Sequence, residues 1–409
     1  MIVRRNAVKD AHINKVLVFY LIARICISLA GTMLVVSIGW HLYQATGNPL
    51  DLGLVGLMQI TPMLILFLAS GWAVDRFPRK KILLLASLAE VAVYVGLALS
   101  MQDGDVERFS VFSLLFLHGC ARALIGPTTQ AILPNIVDDE YLSRAVAITS
   151  SAWTTASTIG PFVAGLLIAR FDFDTYWWLV ALSSVGATCY LWLPQLVAST
   201  ASRAGATDLL SGIRHVVANP YVLPSISLDL FIVLFGSLMA LLPVYVIDVL
   251  QAGPETLGVM RAMPAVGGVM VAVLTARLPP FRRSGQLLFA ALLIFAASIF
   301  LFAFSGSLWL SLLALWIYGA SDMISVNIRM TVIQLATPDA LRGRVSAVNI
   351  LFISASNELG DFRAGSVAAL LGPMNTIILG AAMSLAVALG GCLLFPKLRG
   401  LDRVTDVSR

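Results

Sequence analysis

Apolar residues run through this chain in long blocks, not in strict alternation, and brief segments rich in charge, glycine and proline separate them. An α-helix needs about 20 mostly apolar residues to cross a hydrocarbon layer roughly 30 Å thick. Blocks of that length predict helices near 16–41, 51–74, 82–101, 109–133, 144–169 and 176–197. Six more are predicted near 221–249, 255–277, 285–304, 308–336, 344–371 and 374–395. The first run, Val16 to Trp40, is too long for the core of a secretory signal and has no small-residue cleavage pattern after it, so it is expected to remain as the first span.

The longest polar connection, Ala198 to Pro220, separates the first six predicted spans from the last six and contains a short amphipathic stretch around Asp208 to Val217. The pattern predicts an all-α polytopic membrane protein of about twelve helices in two pseudo-symmetric six-helix bundles, 1–197 and 221–409, joined by a cytoplasmic linker, 198–220. An internal echo supports duplication. Gly119, Asp139, Arg144, Ala147, Gly160 and Gly165 recur 200 positions later as Gly319, Asp339, Arg344, Ala347, Gly360 and Gly365. The fourth and fifth helices thereby match the tenth and eleventh. Two similar halves rocking about a midplane site is a physical solution to alternating access.

Composition sharpens this picture. Of 409 residues, 59% are hydrophobic and 12% charged, about half the charge of a soluble domain, which excludes a water-soluble globule. Cys26, Cys120, Cys189 and Cys392 all fall in apolar runs without C-x-x-C or metal-ligand spacing, so disulfides and metal sites are not expected. The net charge of +5 comes from bases scattered among short loops, which build no groove for nucleic acid. Instead the bases report orientation. Arg4, Arg5, Lys9, Lys15, Arg76, Arg79, Lys80, Lys81, Arg144, Arg203, Arg282, Arg283, Arg342, Lys397 and Arg409 fall on one side. The opposite loops carry Arg108 and Arg170 among eight acids, including Asp51, Asp103, Asp105 and Glu255. By the positive-inside rule both termini are expected in the cytoplasm of a bacterium, with the chain in the inner membrane. No nucleotide-binding loop and no nucleophile–base constellation occurs, so neither an ATPase nor another enzyme is expected, and no cofactor beyond an ion gradient.

Between the second and third spans stands Gly71-Trp-Ala-Val-Asp75-Arg76-Phe-Pro78-Arg79-Lys80-Lys81. A plain positive-inside anchor would need neither the acid before the bases nor the glycine four residues earlier. The segment resembles the signature loop G-x-x-x-D-R-x-G-R-K-K of the major facilitator superfamily, with Pro78 in place of glycine. Arg122 and Gly126 in the fourth span resemble the R-x-x-x-G core of a motif associated with proton coupling in that family's exporters. Ala156 to Gly165 in the fifth resembles their g-x-x-x-G-P-x-x-G-G pattern, with alanine at two glycine positions. Pro338 to Val345 and Glu358 to Gly365, with Arg24, narrow the resemblance to the branch containing the enterobactin exporter and macrolide-efflux-like proteins.

What the resemblance implies is a conformational latch on the cytoplasmic side, with Asp75 and Arg76 holding an outward-facing state and Gly71, Arg79, Lys80 and Arg344 belonging to the same device. It also implies a helix pivot at Gly160, Pro161 and Gly165, which in the family marks antiporters. The other reading of those small residues is close helix packing.

Ten ionisable residues lie inside the predicted spans, and each would cost several kcal/mol facing hydrocarbon, so they are expected to face a cavity or to pair. At a rise of about 1.5 Å per residue, Arg24, Glu90 and Arg122 fall at similar depth in the first half. In the second half Asp229 and Arg329 share one level, and Arg261, Asp361 and Arg363 another. Asp322 and Glu358 are expected together near the middle with no cation. Arg24 and Arg122 offer forked donors to an anionic or carbonyl-rich solute. Glu90, Gln59, Asn327 and Asn357 are further candidates for substrate contact.

Two carboxyls in a poorly hydrated site resist simultaneous ionisation. Asp322 and Glu358 are therefore the expected proton carriers, followed by Asp361 and Asp229; Arg261, Arg329 and Arg363 are expected in charge pairs. The function expected is a monomeric, proton-coupled antiporter that exports a small siderophore-like or drug-like molecule. An uptake symporter and a non-transporting receptor or scaffold of the same fold are the alternatives.

Overall fold

The computed structural model describes residues 2–101, 106–194, 206–277 and 281–408. Asp103, Asp105, Arg203, Arg409, the end of the sixth predicted span and the start of the polar connection lie outside the described residues, as do the side chains of Arg4, Arg5, Lys9 and Asp208. In chain order the helices are α1 Ile2–Thr46, α2 Pro49–Arg76, α3 Arg79–Ser100, α4 Arg108–Ile136, α5 Asp139–Phe171 and α6 Thr175–Leu191. After them come α7 Ala206–Ala218, α8 Val222–Gly236, α9 Leu242–Val244, α10 Pro254–Arg277, α11 Ser284–Ala303, α12 Leu308–Leu335, α13 Asp339–Leu371, α14 Pro373–Leu394 and α15 Pro396–Arg399. No strand occurs among the described residues.

Ten segments are long and apolar enough to cross a membrane. One of them, Glu140–Leu191, is α5 and α6 joined by the 3-10 turn Asp172–Asp174. The 33-residue α13 is not among the ten, because Arg342, Arg344, Glu358, Asp361 and Arg363 dilute its apolar run. Counting both gives twelve spanning elements, as the blocks predict.

The seventh span departs from expectation, because it is not one continuous helix. α8 stops at Gly236, Ser237 adopts an extended backbone, and a 3-10 turn at Met239–Leu241, the short α9 and a π-turn at Tyr245–Val249 complete the crossing. Hydropathy reports the length of an apolar run and not its backbone path. Gly236 and Pro243, the latter without an N–H to donate, are the local cause.

The chain divides into two compact units, Met1–Ala45 with Met58–Arg203, and Thr46–Leu57 with Ala204–Arg409. In the first, Tyr20, Ala23 and Ile27 of α1 pack with Leu83 and Ala86 of α3, Ile132 and Ile136 of α4 and Tyr190 of α6. In the second, Val216 of α7 is buried with Val222 and Ile226 of α8, Ile333 of α12 and Val345 and Val348 of α13. The amphipathic segment of the polar connection is thus a packed helix, and the second unit also includes the start of α2.

The 200-residue echo corresponds to the same packing built twice. A Cβ on Gly119 would stand 2.6 Å from Gln59 O and against Pro62 of α2. Gly319 meets the backbone of Pro264 in α10 in the same way. Gly160 of α5 receives Thr32 of α1, and Gly360 of α13 receives Ser237, whose Cβ would lie 3.0 Å from an added one. Each glycine lets one backbone approach another, which is how helices associate in a solvent that supplies no hydrophobic drive between them.

Candidate functional site

In the first unit, Arg24 Nη1 donates to Thr129 Oγ1 at 2.8 Å, and Tyr20 Oη donates to the carbonyl of Thr129 at 2.8 Å. No carboxylate stands within ion-pair distance of Arg24 among the described residues. Arg122, the central residue of α4, donates from Nη1 to Gln59 Oε1 at 2.8 Å. Gln59 is buried, whereas Arg122 is exposed. An exposed guanidinium at the middle of a spanning helix must look onto water and not onto lipid. Glu90 is 2% exposed and lies in the field of Arg122, with Oε1 3.7 Å from Nδ1 of buried His118. The structure therefore brings Gln59, Glu90 and Arg122 together, with Arg24 on Thr129, seven residues along α4 from Arg122.

In the second unit the charges are differently held. Asp229 of α8 and Arg329 of α12 form a buried ion pair at 2.6 Å. Asp322 lies in the field of Arg329 and Asp229. The expected cation-free carboxylate site is corrected on this point: depth along a helix fixes height but not azimuth, and the long Arg329 side chain reaches toward Asp322. Glu358 instead acts on Arg261, and its Oε2 would be 3.2 Å from a Cβ on Gly56.

Around the break in the seventh span, Arg261 donates to Met239 O at 3.0 Å and Arg363 donates to Ser237 O at 3.3 Å. Ser237 Oγ donates to Asp361. Carbonyls released from the helix ladder are expensive in lipid, and here two guanidinium groups satisfy them. Asn327 donates to Thr275 Oγ1 at 3.2 Å, and Asn357 is exposed.

The family model described as transmembrane secretion effector matches residues 12–408. The chain belongs to this family of major facilitator transporters. The enterobactin exporter EntS of Escherichia coli O81 (strain ED1a) is 25% identical over 357 residues, which cover 86% of this chain and 84% of the exporter. Among solved structures, the nucleoside transporter NupG superposes with a TM-score of 0.75 at 13% identity, covering 93% of this chain and 99% of that one. An inward-facing, unoccupied bacterial homolog of the human lysosomal transporter Spinster gives 0.71 at 15% identity, covering 95% and 98%. These neighbours share the fold. The protein is thus a multi-pass membrane transporter.

The signature loop lies in the first unit. Gly71, Asp75 and Arg76 are exposed, and the Arg76 guanidinium lies 5.5 Å above the Trp72 ring. Arg79 donates to Ala131 O at 2.8 Å and to Asn135 Oδ1, while Lys80 donates to Leu191 O at 2.7 Å. These two bases fasten α3 to the ends of α4 and α6. Arg344, assigned to the latch from sequence, donates to Ser211 Oγ at 3.0 Å and so holds α7. Gly160, Pro161 and Gly165, the expected pivot, lie within α5 with Pro161 inside the helix, and Gly160 packs on Thr32 within the first unit, the close approach that small residues allow.

Thr129, Tyr20 and the carbonyls at the helix break escaped the sequence reading. Thr129 could have been found, since it follows Arg122 by two helical turns on the same face. The break carries no signal in hydropathy.

Proposed function

We propose that the protein is a proton-coupled exporter of a small anionic or carbonyl-rich organic molecule, siderophore-like in its chemistry, that works by alternating access. The observation that carries this reading is the exposed Arg122 at the centre of α4, held on Gln59, with Arg24 on Thr129 in the same unit. Arginine stays charged in any surroundings and presents planar, forked donors that match carboxylate and catecholate oxygens. Export accords with the resemblance to an enterobactin exporter. The excess of lysine and arginine on one side supports cytoplasmic termini in a bacterial inner membrane.

Asp322 is the proposed proton carrier. It is a carboxyl at half-exposed midspan depth beside both a cation and a second carboxylate, so its charge state is sensitive to any movement of Arg329. Asp75 and Arg76 are exposed on the loop proposed to latch the transporter in another conformation. The deciding experiment compares Asp322→Asn with Arg122→Gln in reconstituted vesicles. Asp322→Asn is expected to abolish pH-driven efflux while keeping substrate binding and downhill exchange, and Arg122→Gln to weaken binding itself. Full pH-driven flux in Asp322→Asn removes it as the proton carrier; inward accumulation with inward proton flow makes the protein a symporter.

A further inference from the structure

Gln59 and Arg122 meet at a close approach of α2 and α4 within the first unit. Gly119, three residues before Arg122, lies so near α2 that an added Cβ would stand 2.6 Å from Gln59 O. At that spacing the short Gln59 side chain reaches the guanidinium, and its Oε1 accepts from Arg122 Nη1 at 2.8 Å. Gln59 is 3% exposed, whereas Arg122 is exposed. A solute that arrives on the open side of Arg122 therefore meets the guanidinium and not the amide. Gln59 acts on it through Arg122.

An amide at this place has an electrostatic consequence. A carboxamide oxygen fixes one edge of a guanidinium and brings no net charge, so the arginine keeps its attraction for an anion. A carboxylate of the same reach would take the guanidinium in a charge-assisted, bidentate pair and spend that attraction. Glu90 already lies in the field of Arg122, with Oε1 3.7 Å from His118 Nδ1. Even with Glu90 ionised, Gln59, Glu90 and Arg122 together carry no net negative charge, and a second carboxylate at position 59 would give them one. The second unit shows the other solution. Pro62 and Pro264 press on the matched glycines Gly119 and Gly319, and Gln59 and Arg261 each precede their proline by three. Arg261 lies in the fields of Asp361 and Glu358 and donates to Met239 O, so the charge at that place is spent within the protein. We propose that Gln59 is a positioning residue that sets the charge selectivity of the first unit: it orients Arg122 and, being uncharged, leaves the guanidinium to an anionic solute. This inference rests on the proposed recognition of an anion by Arg122.

The test is calorimetric titration of the full-length, detergent-solubilised protein with protocatechuate, a catechol carboxylate, and with its uncharged amide. Wild type is expected to bind the carboxylate about tenfold more tightly than the amide, the step between a charged and a neutral acceptor on a guanidinium. Gln59→Glu is expected to bring that preference below about twofold, because its own carboxylate occupies Arg122. Gln59→Met has similar length and no comparable acceptor; it is expected to weaken both ligands about fivefold, the scale of one hydrogen bond, and to keep the preference. Elution and melting profiles establish that each variant is folded, and either one suffices for the test. A preference that persists in folded Gln59→Glu, or is lost in folded Gln59→Met, overturns the charge-setting role. Wild-type affinities in Gln59→Met overturn the positioning role. Wild type without a preference for the carboxylate overturns instead the reading of Arg122 as the anion site, whatever the variants do.

Discussion

Two polar cores occupy equivalent positions in the two units and hold their charges differently. The matched glycine contacts set the register: Arg122 and Asp322 each stand three residues after Gly119 and Gly319, and Thr129 corresponds to Arg329. Arg24 precedes Thr32 by eight residues, as Asp229 precedes Ser237. Gln59 precedes Pro62 by three, as Arg261 precedes Pro264. The bond from Arg24 to Thr129 at 2.8 Å in the first unit thus becomes the Asp229–Arg329 ion pair at 2.6 Å in the second. In the first unit Arg24 donates to a neutral hydroxyl and Arg122 to the Gln59 amide, with Glu90 in the field of Arg122, whereas in the second Asp229 and Arg329 compensate each other directly. A charge resting on a neutral partner can be given to a solute at little cost, but a buried pair cannot be opened without leaving a charge stranded. The duplication therefore preserved the packing and divided the chemistry, with anion recognition proposed for one unit and proton handling for the other.

That contrast is easiest to break at its most costly bond. Asp229→Asn leaves the buried Arg329 without its counter-charge and is expected to cost about 3–5 kcal/mol of stability. Arg24→Gln, at the equivalent place in the other unit, removes a charge from a neutral hydroxyl and is expected to cost about 1 kcal/mol. Unfolding of both purified variants by denaturing detergent measures the difference. The double variant D229L/R329M, which replaces the pair by apolar side chains, is expected to recover most of the loss. Equal costs for Asp229→Asn and Arg24→Gln would show that the two cores are held alike.

The next effect falls on recognition. A hydrogen bond between a charged donor and a solute is worth about 1.5–3 kcal/mol, so Arg122→Gln is expected to weaken substrate binding about 10- to 100-fold. Stability should change little, because the side chain is exposed and its partner Gln59 keeps a polar neighbour. Calorimetric titration of the detergent-solubilised variant checks this. Wild-type affinity would move recognition away from the cationic core of the first unit.

Much of this arrangement was legible in the residues, and the exceptions have physical causes. Lipid demands long apolar runs, so the spans and their number follow from hydropathy, α13 included despite its charges. The echo at Gly119 and Gly319 revealed the duplication because α4 and α12 keep one offset. The α1 and α8 pair does not, and so the match of Arg24 with Asp229 needed the contacts of Thr32 and Ser237. Depth along a helix gave the level of Asp322 and Glu358, but their different neighbours depend on azimuth and on arginine reach. The broken seventh span stayed hidden for another reason. Gly236 and Pro243 permit it locally, but what holds it is tertiary, since Arg261 and Arg363 supply hydrogen bonds to the carbonyls that the helix gives up.

The smallest expected effect concerns Gly126, four residues after Arg122 in α4, where sequence resemblance assigns a motif and the structure shows open space. Its counterpart in the register of Gly119 and Gly319 is Val326, so the second unit already carries a side chain at this place. A Cβ on Gly126 meets nothing within 4 Å, unlike one on Gly119, which would press on Gln59. Glycine inside a helix costs roughly 0.5–1 kcal/mol relative to alanine. Gly126→Ala is therefore expected to raise stability by about 0.5 kcal/mol and to leave substrate affinity within about twofold of wild type, because the Arg122–Gln59 bond is untouched. Denaturation and titration of the same preparation measure both. A loss of stability would mean that another conformation, or a neighbour not present in the resting arrangement, closes on this glycine. A gain in stability accompanied by slowed pH-driven flux would locate the motif's contribution in movement of α4, separate from the recognition carried by Arg122.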